Sequence, residues 1–452
     1  MKTKKVSNWP MWVLGFAVMI DSIDQYIVRG TSNQIAHVFK VNDFQIGILF
    51  SAFIVVNGVA TMPASYIGDR WNRSNLMAIT IMIWSVISSM GGLVPIGAFW
   101  LLVSLRGALG FGQAVSDPSG SSLLADFYGI NQRGKAFAIQ QCLLYIGLGV
   151  GLAIGSFFGT HFGSMGWRLA FFVSIGPGLL IALFCWRLPE PKRGTADRAE
   201  ALHASEPNLE VETEIAPLFP NGIKGFLKDM GSGLVQDVKT ILKIPTMRYA
   251  LVGVSAILFV VTAVSTWMPT LYQRQFDMSQ ESANFLFAIL AIAAGIPGTL
   301  IGGLMADKWV KKFLGARVVV PGICLLISGT LFMLSFLPLP FWPVFVLQLF
   351  AFLSAASSVP ALRSGLSDSV PAHLRGAGFG AFNIASIIFG SAAAPVVTSA
   401  IATQFGGNFR VAFALLMPVA FIGTIFLLMA RKHIEKDTMK IFEAIGQAMQ
   451  NS

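Results

Sequence analysis

The chain has 452 residues, 54% of them hydrophobic and only 12% charged, and its mean hydropathy is +0.68. A soluble domain carries about 25% charged residues, so this composition excludes a soluble globular protein and points to a polytopic membrane protein. The net charge of +10 does not imply a nucleic-acid partner, because many basic residues stand at the ends of apolar runs, where positive-inside topology puts them.

A helix crosses the bilayer in about 20 apolar residues. Twelve such stretches are expected, at about 11–36, 45–67, 76–95, 98–127, 135–161, 168–188, 248–272, 281–305, 317–337, 341–368, 375–403 and 408–430. The first runs past the length of a signal core and lacks a small-residue cleavage site, so it reads as an uncleaved insertion signal. Lys2, Lys4 and Lys5 precede it. Arg70 and Arg73 follow the second span, Arg133 and Lys135 the fourth, and Lys308, Lys311 and Lys312 the eighth. Arg375 follows the tenth, and Arg431 and Lys432 the twelfth. All these fall on one side when both termini are cytoplasmic, the orientation expected here. The short loops suggest a bacterial inner (plasma) membrane.

Span one contains MIDSIDQYIVRG, with Asp21, Asp24, Tyr26 and Arg29 inside an apolar run. Asp21 and Asp24 are three apart and share a helix face. Two close carboxylates in a poorly hydrated cavity do not both ionise cheaply, so one of them suits proton exchange. After span two, GDRWNR offers Asp69 as a helix cap or ion-pair partner, and Arg70 and Arg73 as cations for acids on neighbouring helices. Asp126, at the end of span four, is the acceptor expected. The plainer reading of these charges is topology alone.

Span four carries Arg106, then glycines at 107, 110 and 112, Gln113, Asp117 and Pro118. An arginine at bilayer depth costs several kcal/mol unless it faces a cavity or a partner. Arg106 is therefore expected either to bind a substrate anion or to neutralise one of the span-one aspartates; the alternative is a permanent pair that only joins spans one and four. Asp117 faces the same cavity or pairs locally. On span five, Gly147, Gly151, Gly155 and Gly159 give small-xxx-small spacing for close helix packing. This run is no nucleotide loop, since no strand precedes it and no lysine follows.

The stretch 189–247 opens with PEPKRG and turns polar, as a linker does. Within it, 222–243 has the pattern of an amphipathic helix lying on the membrane surface. Trp267 and Tyr272 flank Pro269 in span seven, an interfacial anchor or an outer gate hinged at the proline. In span ten, Arg363 suits a phosphate or, with Asp368, a gate pair. Asn57, Asn284 and Asn383 read first as interhelical hydrogen-bonding residues. Cys142, Cys185 and Cys324 lie in apolar spans without metal spacing. No cofactor and no metal is implied, and no nucleophile–base arrangement marks an enzyme.

Three segments recur. GDRWNR (68–73) has an echo in ADKWVKK (306–312), which pairs Asp69 with Asp307 and adds Lys308. QRGKAF (132–137) matches LRGAGF (374–379), pairing Arg133 with Arg375, and GWRLAFF (166–172) matches NFRVAFA (408–414). A duplicated six-span unit explains all three. The expected layout is an N-terminal bundle over 1–188, a linker over 189–247, a C-terminal bundle over 248–430 and a tail over 431–452.

Ser65 to Arg73, with Arg106, Gly110, Gly112, Gln113, Ala114 and Pro118, resembles the signatures of the major facilitator superfamily. Within it, Asp24-Gln25-Tyr26, Asp69 to Arg73, Leu124 to Phe127 with Arg133-Gly134, Trp167-Arg168, Pro189 to Gly194 and Trp267-x-Pro269-Thr270 resemble the Spinster-type lipid transporters. The resemblance implies an all-α membrane fold of twelve helices in two pseudo-symmetric six-helix bundles. It also implies alternating access, a lysophospholipid or sphingosine-phosphate-like substrate, and a part for protons. Ser65 stands where the family usually has glycine, and two further departures matter: Gln25 stands where arginine is usual, and Gln113 where glutamate is usual. Glutamine does not titrate, so a proton site is missing there.

The function expected is a secondary active transporter of an anionic amphiphilic lipid, with protons and membrane lipids as its other partners and a monomeric state. The alternatives are a proton-coupled symporter of small organic anions or a drug exporter on the same fold. From another class, a non-transporting membrane receptor or scaffold remains.

Overall fold

The structure, a computed structural model, describes residues 8–128, 130–191, 239, 242–310, 312–313, 315–368 and 386–450. Its α-helices in the first half of the chain are α1 (Trp9–Gly30), α2 (Ser32–Phe39), α3 (Asp43–Arg70), α4 (Arg73–Met90), α5 (Phe99–Gln113), α6 (Ser116–Phe127), α7 (Ile130–His161), α8 (Gly166–Val173) and α9 (Ile175–Trp186). The second half holds α10 (Pro245–Phe276), α11 (Gln280–Val310), α12 (Ala316–Ser335), α13 (Phe341–Asp368), α14 (Ala393–Gln404), α15 (Phe409–Leu416) and α16 (Pro418–Gln450). The protein is an all-α integral membrane protein, with twelve spans in two pseudo-symmetric six-helix bundles. The expected surface helix over 222–243 falls almost wholly outside the described residues.

Among the described residues, eleven helical stretches are long and apolar enough to cross a membrane. The remaining expected span, 98–127, is present as α5 and α6, which are separated at Ala114–Val115. That span holds Arg106, Gln113 and Asp117, so its polarity and its break are one feature. The surface is apolar where a bilayer would cover it: Trp100, Phe111, Leu304 and Phe389 are exposed, as lipid-facing residues must be.

By packing, the chain forms two compact units, Met1–Val41 with Val56–Phe226, and Asn42–Val55 with Leu227–Ser452. The first half of α3 thus belongs to the second unit. There Ser51 Oγ donates to the Ala392 carbonyl at 2.7 Å, and Phe50 meets Trp267 edge-on at 6.0 Å. Asn42 and Gln45 start α3 by a reciprocal cap, each backbone N–H donating to the other's side-chain oxygen at 3.0 Å. This is the exchange that satisfies two orphan donors at once.

In the first unit, α1 lies directly against α7. A Cβ on Gly147 would fall 2.5 Å from the Met19 carbonyl oxygen, and one on Gly151 equally close to that of Ile23. Gly155 meets the Ile27 carbonyl in the same way. The small-xxx-small stripe therefore brings backbone to backbone, and it fixes the rotation of α1. That rotation decides which α1 residues reach the other helices of the unit.

Candidate functional site

The α1 turn that carries Asp24 faces α4 and α5. Arg106 NH1 is 3.1 Å from Asp24 Oδ2, and the two side chains are 5% and 2% exposed. Ser88 of α4 donates through Oγ to Asp24 Oδ1. Both oxygens of this mid-span carboxylate are therefore engaged, one by a cation and one by a hydroxyl. Arg106 reaches the pair because α5 approaches α4 closely. A Cβ on Gly112 would lie 2.7 Å from that of Trp84, and Asn57 Nδ2 of α3 donates to the Gly110 carbonyl at 3.4 Å.

Beside the pair, Gln25 Nε2 donates to Gln113 Oε1 at 3.3 Å. The two glutamines that depart from the family pattern thus face each other. An amide pair occupies the place where the family pattern has an arginine and a glutamate, and it carries no charge and no titratable proton. Gln113 Nε2 is buried without a partner.

Asp21 is buried, but it does not join Asp24 on Arg106. It lies among Ser116 and Asp117 at the start of α6 and Cys185 of α9, with Asp24 close enough to act on it electrostatically. Its Oδ1 is buried without a hydrogen-bond partner. Asp117 itself is exposed. The shared face read from the sequence is real, yet three residues along a helix are enough to direct the two carboxyls at different neighbours.

Tyr26 and Arg29 point elsewhere. Tyr26 packs at Gly151 of α7, and the Arg29 guanidinium sits 4.2 Å above its ring. Trp267 belongs to the second unit and is not an interfacial anchor. It is 2% exposed inside the second unit, donates Nε1 to the Pro395 carbonyl at 3.0 Å and stacks on Phe409 at 4.9 Å. Tyr272 donates to Gln348 Oε1 at 2.6 Å. Asn284 is buried with Nδ2 unpartnered.

The second cluster of the first unit lies at the end of the spans. Arg73, 1% exposed, opens α4 beside its cap, Asn72. Its NH1 donates to Asp126 Oδ2 and to Ser122 Oγ, both at 2.6 Å. Its Nε donates to Glu190 Oε1 at 2.7 Å, and its NH2 to the Pro191 carbonyl at 3.2 Å. Glu190 Oε2 accepts from the Ser74 backbone N–H at 3.1 Å. The Arg73–Asp126 pair is the one expected from sequence. Glu190 was not among the expected gate residues, although PEPKRG stood out as a motif; a glutamate between prolines reads as linker until its partner is seen. Lys308 is exposed in the last turn of α11. The side chains of Asp69, Arg133, Asp307, Arg363 and Asp368, and Arg375 and Asn383 entirely, lie outside the described residues.

In chemical terms, the first site is a mid-membrane cation held by a carboxylate, with a second carboxyl close by. Such a cation can exchange its carboxylate for an anionic ligand, and Asp24 then keeps the Ser88 hydroxyl as its partner. The family described as Major Facilitator Superfamily matches residues 14–386. Protein spinster homolog 1 of Rattus norvegicus is 25% identical over 64% of this chain and 52% of its own length. This chain thus spans about half of that relative. Xenopus tropicalis has a sphingosine-1-phosphate transporter, SPNS2, that is 25% identical over 69% of this chain and 58% of its own. A solved bacterial homolog of the human lysosomal transporter Spinster, described as inward-facing and occupied, superposes with a TM-score of 0.69 at 18% identity, covering 98% of each chain.

Proposed function

The chain belongs to the major facilitator superfamily, a family of transporters and not of enzymes, and we propose that it moves an anionic amphiphilic lipid of the lysophospholipid kind by alternating access. Its resemblance to the Spinster-type transporters supports the substrate class, as does the relative SPNS2, a sphingosine-1-phosphate transporter. The observation that carries the reading is the buried Arg106–Asp24 pair. A phosphate entering the site replaces Asp24 as the partner of Arg106, and bidentate pairing of guanidinium with phosphate favours that exchange. Ser88 then keeps one contact on Asp24.

Proton exchange is assigned to Asp21. The Gln25–Gln113 pair holds no titratable group, and Asp24 is held by a cation and a hydroxyl, whereas among the described residues Asp21 has no cation against it and only the Ser116 hydroxyl as a hydrogen-bond partner. Asp21 is also the cleaner position to test. Asp24→Asn would remove the carboxylate that pairs with Arg106, whereas Asp21→Asn leaves that pair in place. The experiment is flux of a labelled lysophospholipid in proteoliposomes, with and without an imposed pH gradient. The wild type is expected to respond to the gradient, and Asp21→Asn to keep flux but lose that response. Gradient-indifferent flux in the wild type would remove the proton and leave facilitated diffusion or exchange. Absence of lipid flux under both conditions would sink the substrate class and direct the search to small organic anions.

A further inference from the structure

The second unit carries a cavity at the end of α10 away from Asp437. Asp437 marks the other end, where its Oδ2 accepts from the backbone N–H of Thr246 in the first turn of α10. The cavity is about 320 Å³ and is lined by Arg274 and Gln275 of α10, by the turn Gly406-Gly407-Asn408, and by Phe409 and Arg410 of α15. Pockets that hold small molecules span about 300–1,000 Å³, so this one suits a headgroup and not a whole lipid.

Its chemistry is that of an anion site. Two guanidiniums line it. Arg274 is bound by Asp43, NH1 to Oδ2 at 2.7 Å and NH2 to Oδ1 at 2.9 Å, which cancels one charge. Arg410 supplies the other, and its Nε is buried without a partner. Gln275 adds an amide whose oxygen and nitrogen are both buried and unpartnered. Leaving buried polar groups unpaired costs about 1–3 kcal/mol each, so three such atoms on residues lining one cavity call for an occupant. The terminal torsion of glutamine is soft, so a small rotation turns this amide into the cavity. Phe409 supplies an apolar wall, held by Trp267 on one side and with the Arg274 guanidinium 5.2 Å from its ring.

The sequence repeat provides an internal control. Arg168 is the counterpart of Arg410 in the duplicated segment. In the first unit Arg168 NH1 donates to the Gly92 carbonyl at 2.7 Å, and the side chain lies over Trp167 at 4.5 Å. The repeat therefore does not by itself demand an arginine facing a cavity.

We propose that this cavity is a binding site for the phosphate of an organic phosphate ester, with the phosphate on Arg410 and Arg274 and an ester hydroxyl on the Gln275 amide. A lipid headgroup and a soluble phosphate ester share this chemistry, and the test separates them. Full-length protein in nanodiscs of neutral lipid would be titrated calorimetrically with glycerol 3-phosphate. In parallel, retention of phosphatidylglycerol on the purified protein would be measured against phosphatidylcholine. Saturable binding of glycerol 3-phosphate, about tenfold weaker in Arg410→Gln and unchanged in Arg168→Gln, would establish a soluble ester as ligand. Retention of phosphatidylglycerol by the wild type but not by Arg410→Gln, without glycerol phosphate binding, would establish a lipid headgroup. Should Arg410→Gln not fold, Gln275→Leu carries the same comparison with about a threefold loss. Equal behaviour of the wild type and these variants towards both probes overturns the proposal. None of these outcomes depends on which substrate the transporter carries.

Discussion

Arg73 and Arg106 both lie in the first unit and are almost sealed from the surface, at 1% and 4% exposure, yet they sit in different dielectric settings. Arg73 opens a helix at the end of a span, and its carboxylates Asp126 and Glu190 keep 11% and 24% of their side-chain surface. Arg106 lies within a span, and its carboxylate Asp24 keeps 2%. Near the surface a guanidinium with four hydrogen-bond acceptors is a clamp: it joins the starts of α4 and of the segment after α9 to the end of α6. At mid-span the same ion pair must offset the loss of water on both charges, and such pairs seldom improve on apolar packing. A pair kept there is expected to serve binding, whereas a pair kept at the span end can serve architecture alone.

Breaking each pair separates the two roles. The largest effect is expected for Arg106→Gln on flux. On the proposed role of Arg106, loss of a charged hydrogen bond to substrate, about 1.5–3 kcal/mol, lowers flux by about ten- to a hundredfold. Adding Asp24→Asn to that variant removes the stranded carboxylate, so the thermal unfolding midpoint recovers while flux does not. Recovery of flux in the double variant would show that Arg106 and Asp24 only hold α1 to α5.

Arg73→Gln is expected to show the opposite pattern. It removes the cation that Asp126 and Glu190 share and costs about 3 kcal/mol of stability, somewhat less at the Glu190 end, where solvent screens the charge. Flux per folded molecule falls much less than in Arg106→Gln. Neutralising the acids as well, with Asp126→Asn and Glu190→Gln, restores part of the midpoint. A thermal-unfolding series on these variants checks it, and an unshifted midpoint in Arg73→Gln would mean that the clamp carries no stability.

The sequence made some of this legible and hid the rest for physical reasons. Hydropathy marked the spans, because the bilayer imposes a length on them. The glycine stripe of α7 announced a close neighbour, because only missing side chains allow such an approach. Arg106 stood out because its cost demands a partner, and Asp24 was one of two carboxylates on the expected helix. Ser88 did not stand out, since a serine in an apolar span is common and a hydroxyl gives no hint of its acceptor. The Asp43–Arg274 pair was equally silent: both residues lie at helix ends, and nothing local links positions so far apart in the chain. Periodicity reports which face a residue is on, and it does not report who stands opposite.

The smallest expected effect tests the contact that sequence comparison alone would have read as two separate losses. Gln25 and Gln113 make one hydrogen bond between α1 and α5, at 3.3 Å. If the contact is a unit, its two halves must be exchanged together. Gln113→Glu alone puts a carboxylate against the Gln25 amide in a buried setting and is expected to cost about 1–3 kcal/mol, the penalty for an imperfectly paired polar group. Gln25→Arg alone adds a second cation beside Arg106 and is expected to cost a similar amount. The two together form an ion pair across the same gap, so the double variant should be more stable than the sum of the singles by about 1–2 kcal/mol, the coupling typical of residues in contact. Thermal unfolding of the four proteins closes the cycle. Strict additivity would mean that the two glutamines do not act on each other. A coupled pair whose double variant also moves the flux–pH profile would show that the neutral amides tune the pH response of transport.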